Sequence, residues 1–331
     1  MPDITIDRAA PVYDVAVIGS GAAGLAAAVF AALDGAKVLV VERTDHVGGT
    51  SALSGGTVWA PMTRTGATVN GGDSRADVSA FLDSAVGNFG DKAMREAFLD
   101  AAPEAIATLE DRTKVAFRPC PKHPDYEWDH PHPTLNGRAI EPVPYDTRAM
   151  GKLRELVRPP IAEFTVLGGM NIDRIDIGHL LNRYKSPASF LHVAKLVARY
   201  MHDRARYGRH ARLVMGAALI GRLIDTAMDL GIDLVRSTSV AALDSDAGEV
   251  TGLQLSAGGR TARVAVKGGV ILATGGFGRS QAPSPIFSHS SGKEASGSRA
   301  LPTDGKSWLA KLSFALLATH RDLPDRARQS A

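Results

Sequence analysis

The chain has 331 residues, 44% of them hydrophobic and 22% charged, with a formal net charge of +3; this is an ordinary globular balance, with enough chain for a sizeable core and two domains. Its Lys and Arg are dispersed and not interleaved with aromatics, so no nucleic-acid partner is expected. No apolar run reaches the ~18 to 20 residues of a membrane span, MPDITIDRAAPVYD has no secretory apolar core, and the single cysteine, Cys120, rules out an internal disulfide; the expectation is a cytoplasmic protein.

Tyr13 to Ile18, YDVAVI, is short, apolar and β-branched, as a buried parallel strand should be. Gly19-Ser20-Gly21-Ala22-Ala23-Gly24 follows, then LAAAVFAALDG, a helix stopped by Gly35, and a second buried strand from Lys37 to Val41 that ends at Glu42. In such a βαβ beginning Gly19 permits the tight turn, Gly21 admits a pyrophosphate, and Gly24 lets helix and strand pack closely. The helix N-terminus offers free N–H groups, and Glu42 can accept from a ribose diol. The ligand is a dinucleotide with an unphosphorylated ribose, either FAD or NAD.

Arg43 to Pro61, RTDHVGGTSALSGGTVWAP, favours FAD. Two glycine pairs, Gly48-Gly49 and Gly55-Gly56, bracket Thr50, Ser51 and Ser54, so the backbone can pass close to a large flat ligand while donating hydrogen bonds. An NAD-binding Rossmann protein, the alternative, would proceed here to a helix and a third strand.

Ser74 to Phe89 and Asp91 to Asp111 have helical periodicity, with N-caps at Ser74 and Asp91. Pro119 to Arg148 is rich in proline and reads as a loop over a cleft. It holds Tyr126 together with His123, His130 and His132, whose spacing completes no recognisable metal site. Glu163 to Leu181 suggests no chemical role. Ser186-Pro187 opens a long helix, whose Arg and His residues read as a solvated face. Met215 to Leu230 is an amphipathic helix ended by Gly231, followed by a strand approaching Val240. A hairpin then turns at Ala257-Gly258-Gly259, and Val270 to Ala273 reads as a short buried strand before Thr274-Gly275-Gly276.

GSGAAG, Glu42, GGTSALSGG with VWAP, and ATGG together resemble the fumarate reductase and 3-ketosteroid dehydrogenase superfamily of flavoproteins, closer to the ketosteroid branch. The resemblance implies an α/β, Rossmann-type FAD-binding domain with a largely helical insertion and a small β-hairpin element. It implies that Gly19, Ser20, Gly21, Ala22, Ala23 and Gly24 hold the FAD pyrophosphate, and that Glu42, beside Arg43, holds the adenosine ribose. Gly49, Thr50, Ser51, Ser54, Gly55 and Gly56 would run along the flavin, Val240 would meet adenine, and Thr274, Gly275 and Gly276 would lie beside the dinucleotide. Tyr126, in Pro-Asp-Tyr upstream of GRAIEP, matches a tyrosine that faces the substrate cleft, where a phenol can bond a ketone or assist proton removal.

The implied reaction removes or adds two hydrogens across a carbon–carbon bond next to a carbonyl, with a small molecule such as a ketosteroid as substrate and an electron acceptor that the residues do not identify. Residues 1–75 and 211–280 form the two parts of the FAD domain, 76–210 the insertion, and 281–331 a tail outside the pattern. The family pattern runs to about Gly278, with a weak echo at Pro302-Thr303-Asp304-Gly305 and one further expected helix at Trp308 to His320. The expectation is a truncated or frame-altered product, which leaves two functional readings: an active oxidoreductase, or a catalytically incompetent FAD-binding fragment.

Overall fold

The computed structural model describes residues 3–120 and 122–276. The expected helix at 308–320, the echo at 302–305 and the tail division at 281–331 lie outside the described residues.

Strands β1 (Asp3–Ile4) and β2 (Val12–Ile18) come first, then helix α1 (Ala22–Leu33) and strand β3 (Val38–Val41). Strand β4 (Val58–Trp59) leads into α2 (Arg64–Asn70), α3 (Arg75–Val86) and α4 (Lys92–Arg112). Ser74 and Asp91 cap α3 and α4 as expected, accepting from Asp77 N–H and Ala93 N–H. The middle of the chain adds strands β5 (Phe117–Pro119), β6 (Ala139–Pro142), β7 (Tyr145–Asp146), β8 (Thr165–Val166) and β9 (Met170–Asn171). Helices α5 (Arg174–Asn182) and α6 (Pro187–Tyr207), strand β10 (Arg212–Leu213) and helix α7 (Met215–Asp229) follow. The described part closes with β11 (Asp233–Val235), β12 (Ser239–Asp246), β13 (Glu249–Ala257) and β14 (Arg260–Leu272).

Seven strands make one mixed sheet in the order β1-β11-β3-β2-β14-β13-β12. Pairing is parallel from β1 to β14 and antiparallel from β14 to β12. Alternation along the central strands divides the core between the two faces. Val17, Val38 and Val40 face α1 and α7, where they meet Leu25, Val29 and Ile224. Ala16, Ile18, Leu39 and Val41 face the other way, toward Val240, Leu253 and Leu255.

Three expectations are corrected. The stretch from Pro119 to Arg148 is not all loop: Ala139–Pro142 is the middle strand of the sheet β4-β6-β5 and is buried throughout. Pro142 is tolerated because it ends the strand beyond the last β4 pair, Val58 with Ile140, while the next bond toward β5 is made by Val143 N–H to Ala116 O at 3.0 Å. Val270 to Ala273 is not a separate buried strand but the end of the 13-residue β14, and Ile271 is 38% exposed. The cations of α6 are not all solvated either, since Arg199 meets Asp146 at 3.0 Å and His192 meets Asp176 at 2.8 Å.

β14 joins the two halves of the sheet. Its first half pairs with β13 and its second with β2, across a register shift between Val266 and Gly269. Gly269 takes φ +123, a backbone open to glycine.

Candidate FAD site

The fingerprint turn joins the carboxyl end of β2 to α1. A Cβ on Gly19, at φ +106, would lie 2.2 Å from Ala273 O, and one on Gly24 would lie 2.0 Å from Gly19 O. Both positions therefore demand glycine, and the turn is pressed against the end of β14, where Ala273 N–H donates to Ile18 O at 2.8 Å. Gly21 is the N-cap of α1; a Cβ there would meet only Ser51 Oγ, at 3.5 Å, so its outer side is open. Leu25 N–H is the first to find an intrahelical carbonyl, Gly21 O at 2.9 Å. The amides of Ala23 and Gly24 precede it and are orphan donors of the helix end. Ala22 N–H donates to Ser51 Oγ at 3.1 Å, and Ala23 is exposed.

Glu42 follows β3 and is buried, 7% exposed. One carboxylate oxygen accepts from Ser20 N–H at 3.1 Å and from the Ser20 hydroxyl; the other accepts from Thr44 N–H at 2.8 Å and Thr44 Oγ1 at 2.9 Å. Ser20 is wholly buried, and its Oγ also accepts from Gly48 N–H at 3.2 Å. Ser20, Glu42 and Thr44 thus form an internal tie between the fingerprint and the following loop. Arg43, beside them, is exposed. Thr44 had no motif around it and was missed in the sequence, whereas Gly48 was visible as half of a glycine pair but its bond to Ser20 was not.

The loop itself is tightly built. Gly49, at φ +51, brings its Cβ position within 3.8 Å of Gly21 Cα, so this side of the loop abuts the fingerprint turn. Ser51–Leu53 forms a single 3-10 turn, and Ser54 Oγ donates to Ser51 O at 2.8 Å and accepts from Gly56 N–H at 3.1 Å. Thr50, Ser54 and Gly55 are exposed. Gly56, at φ +70, abuts the start of α7, where its Cβ would lie 2.5 Å from Gly216 N. Gly216 N–H donates to Ser54 O at 3.0 Å, which satisfies an orphan amide of α7. Met215, just before it, sits at φ +54, unusual for a residue with a side chain. Leu53, Ser54, Pro160, Asn171, Val214 and Met215 line an apolar cleft beside this junction.

Thr274, Gly275 (φ +87) and Gly276 leave β14 exposed, next to the fingerprint. Val240 is buried on β12, two residues beyond Thr238, whose N–H donates to Glu42 O at 3.0 Å. The structure therefore brings 19–24, Glu42, 48–56 and 273–276 together, with Val240 close by along the chain.

Tyr126 stands apart. Its side chain is 89% exposed, and its ring meets His123 edge-on at 5.8 Å. The neighbouring Asp125 is buried and accepts from Trp59 Nε1 at 2.8 Å, Arg138 Nη1 at 2.9 Å and Thr134 N–H at 3.0 Å. Through Trp59, on β4, this loop is tied to the strand that directly follows Gly56. His130 instead meets Ser84 Oγ at 2.8 Å and His132 meets Asp77 at 3.2 Å, both against α3. Cys120 is buried, and burial together with Glu141 pushes its thiol up to about 11.

A family model described as FAD binding domain matches residues 14–319. The chain belongs to this FAD-binding family. Curated relatives of this flavoprotein include 4-oxocyclohex-2-ene-1-carboxylate 5-dehydrogenase from Sinomonas cyclohexanicum, 39% identical over 278 residues, or 83% of this chain and 47% of that one. Another is 3-oxosteroid 1-dehydrogenase from Mycobacterium tuberculosis, 30% identical over 270 residues, or 80% of this chain and 47% of that one. Among solved structures, 3-ketosteroid delta1-dehydrogenase from Sterolibacterium denitrificans, in complex with 1,4-androstadiene-3,17-dione, matches with a TM-score of 0.74 and 28% identity. That match covers 82% of this chain and 49% of the other. The flavoprotein spans about half the length of the curated relatives it matches.

Proposed function

We propose that this chain is the FAD-holding part of an oxidoreductase that dehydrogenates or reduces a carbon–carbon bond next to a carbonyl. The observation that carries the reading is the open outer side of Gly21, at the head of α1, where Gly49 abuts the turn and Ala22 N–H meets Ser51 of the loop that also carries the exposed Thr50 and Ser54. A Cβ at Gly21 would occupy that space, so its donor set and shape fit a pyrophosphate followed by a flat ring system. On this reading the sheet from β1 to β14 is a Rossmann-type core formed by residues 1–75 and 211–280, and 76–210 is a largely helical insertion.

Ala23 and Gly24 would donate their amides to the pyrophosphate. Ser20 positions the turn through its buried hydroxyl. Glu42 holds the turn and the loop in register; because Ser20 and Thr44 fill its acceptor sites, it would receive the ribose by releasing the Thr44 hydroxyl, which has His46 O as another acceptor at 2.8 Å. Thr50, Ser51, Ser54, Gly55 and Gly56 would line the flavin, Val240 the adenine, and Thr274 to Gly276 the outer side of the dinucleotide. FAD, when bound, supplies hydride exchange. Tyr126 would hold or move a proton at the substrate carbonyl. The substrate class is a cyclic ketone, because the two relatives' names specify an oxocyclohexene carboxylate and a 3-oxosteroid.

The test is the visible spectrum of the chain after FAD loading and desalting, followed by turnover of both ketone types with an artificial electron acceptor. Retained flavin bands with turnover support the proposal, and Tyr126→Phe should then lower turnover at least tenfold while leaving flavin retention unchanged. A yellow protein without turnover identifies an FAD-holding half that is catalytically incompetent. A colourless protein overturns the FAD assignment for these residues.

A further inference from the structure

α5 and α6 fold back on each other around a small core of Met170, Leu196 and Tyr200. Their outward faces are also apolar. On α5 and the turn after it, Ile177, Leu181 and Tyr184 recur at helical spacing and are 45%, 72% and 83% exposed. On α6, Phe190, Leu191 and Met201 are 61%, 53% and 58% exposed. Ala194 and Ala198, also exposed, continue the same stripe between Leu191 and Met201. A helix face meant only for water would carry charge at these positions.

The charges on the hairpin are sorted by sign. Its two acids are buried: Asp176 is 1% exposed, bonded to Arg212 at 2.7 Å and His192 at 2.8 Å, and Asp203 is fully buried and accepts from Ala211 N–H at 3.1 Å. Arg174, Lys185, Lys195, Arg204 and Arg206 are exposed. Every exposed charge between residues 174 and 206 is therefore positive. Arg183 lies over the ring of Tyr184 at 4.4 Å, which places a cation beside the most exposed aromatic of the hairpin.

We propose that the α5–α6 hairpin is a peripheral membrane-binding element that rests on an anionic lipid surface. Apolar stripes with a uniformly basic border match the acyl boundary and phosphate layer of such a surface. Contact is from one side: among the described residues no helix is long and apolar enough to cross a membrane. Symmetric pairing of two copies through this face would bring one basic border against another, which the charge pattern opposes. The proposal stands apart from the flavin reading.

Flotation of the full chain with lipid vesicles tests it. The chain should float with vesicles of phosphatidylcholine containing one third phosphatidylglycerol. Binding to pure phosphatidylcholine should be at least tenfold weaker, and the anionic binding should fall in high salt. Lys185→Gln and Lys195→Gln should each weaken binding about fivefold. Leu181→Asp with Phe190→Asp should abolish it without lowering the melting temperature, since both side chains face outward. Absence of flotation on anionic vesicles overturns the proposal, as does flotation undiminished by the double aspartate variant. A wild-type dimer that the double variant converts to a monomer, without vesicle binding by either, assigns the face to chain–chain contact and also overturns it.

Discussion

Two helical glycines, Gly216 and Gly178, should respond to alanine with opposite signs. In both helices alanine gains up to about 1 kcal/mol of intrinsic propensity. At Gly178 in α5 nothing lies within 4 Å of the new Cβ, so Gly178→Ala should stabilise the chain by about 0.5–1 kcal/mol. At Gly216 the Cβ would lie 1.9 Å from Ser51 O, 2.7 Å from Ser54 Oγ and 2.9 Å from Ser54 O. Two of these atoms are backbone and cannot be relieved by a rotamer change. Overpacking costs about 1–3 kcal/mol, and pushing the loop away also weakens the bond from Gly216 N–H to Ser54 O, about 1 kcal/mol more. Less the propensity gain, Gly216→Ala should lose about 1–3 kcal/mol, or roughly 2–12 °C in melting temperature. Thermal melting of the FAD-free chain reads both variants, and FAD retention after desalting should fall for Gly216→Ala alone. A Gly216→Ala protein that melts at or above the wild-type temperature would refute the idea that α7 clamps the 48–56 loop.

Glu42→Gln should leave one of the Ser20 or Thr44 backbone amides facing an NH2 group, at a cost of about 1–3 kcal/mol; an unchanged urea midpoint for the FAD-free chain would show that the carboxylate is not the internal tie. Burial holds His210 neutral down to about pH 4, so the unfolded chain takes up the proton first. Stability should then fall as pH drops from the ordinary histidine value toward 4, by about 2 kcal/mol. Asp146 and Asp176, both depressed, titrate below that window. His210→Asn, which keeps an acceptor for Asn171 N–H, should flatten this acid limb in urea titrations at several pH values. Cys120, with its thiol raised to about 11, should resist a thiol reagent at pH 8 until the chain is unfolded. Its raised value favours the fold at lower pH and loses that contribution as pH rises from 9 toward 11, so rapid labelling of the native protein would contradict its burial against Glu141.

The sequence was most informative where local chemistry decides structure. Three successive signals, an apolar strand, spaced glycines and a terminal acid, placed β2, α1, β3 and Glu42. Ser74, Asp91 and Ser186 marked three helix starts because caps act within one turn. The α5 start was also visible in principle, since Asp173 and Asp176 form a capping box, but Gly168 and Gly169 upstream hid the periodicity. β6 was hidden by the prolines around it, although burial of Ala139 to Glu141 against β4 and β5 decides its conformation. The clasp of Gly56 and Gly216 had no local signal at all, because a glycine required by a distant backbone looks like any other glycine in a helix. Nor did the fingerprint reveal that Ser20 and Thr44 occupy the Glu42 carboxylate, since both bonds depend on how two loops meet.

The mixed partners of β14 also bear on how the protein is made. Val12 on β2 pairs with Ala265 on β14, so the middle of the sheet closes between segments that leave the ribosome far apart in time. At ordinary synthesis rates roughly 250 residues take about 12–50 s, and through that interval β2 and β3 have an open edge where β14 belongs. Such an edge is a template for pairing with other chains. The yield of native protein should therefore depend on how well nascent chains are shielded during that wait, and late-forming contacts of this range make refolding slow.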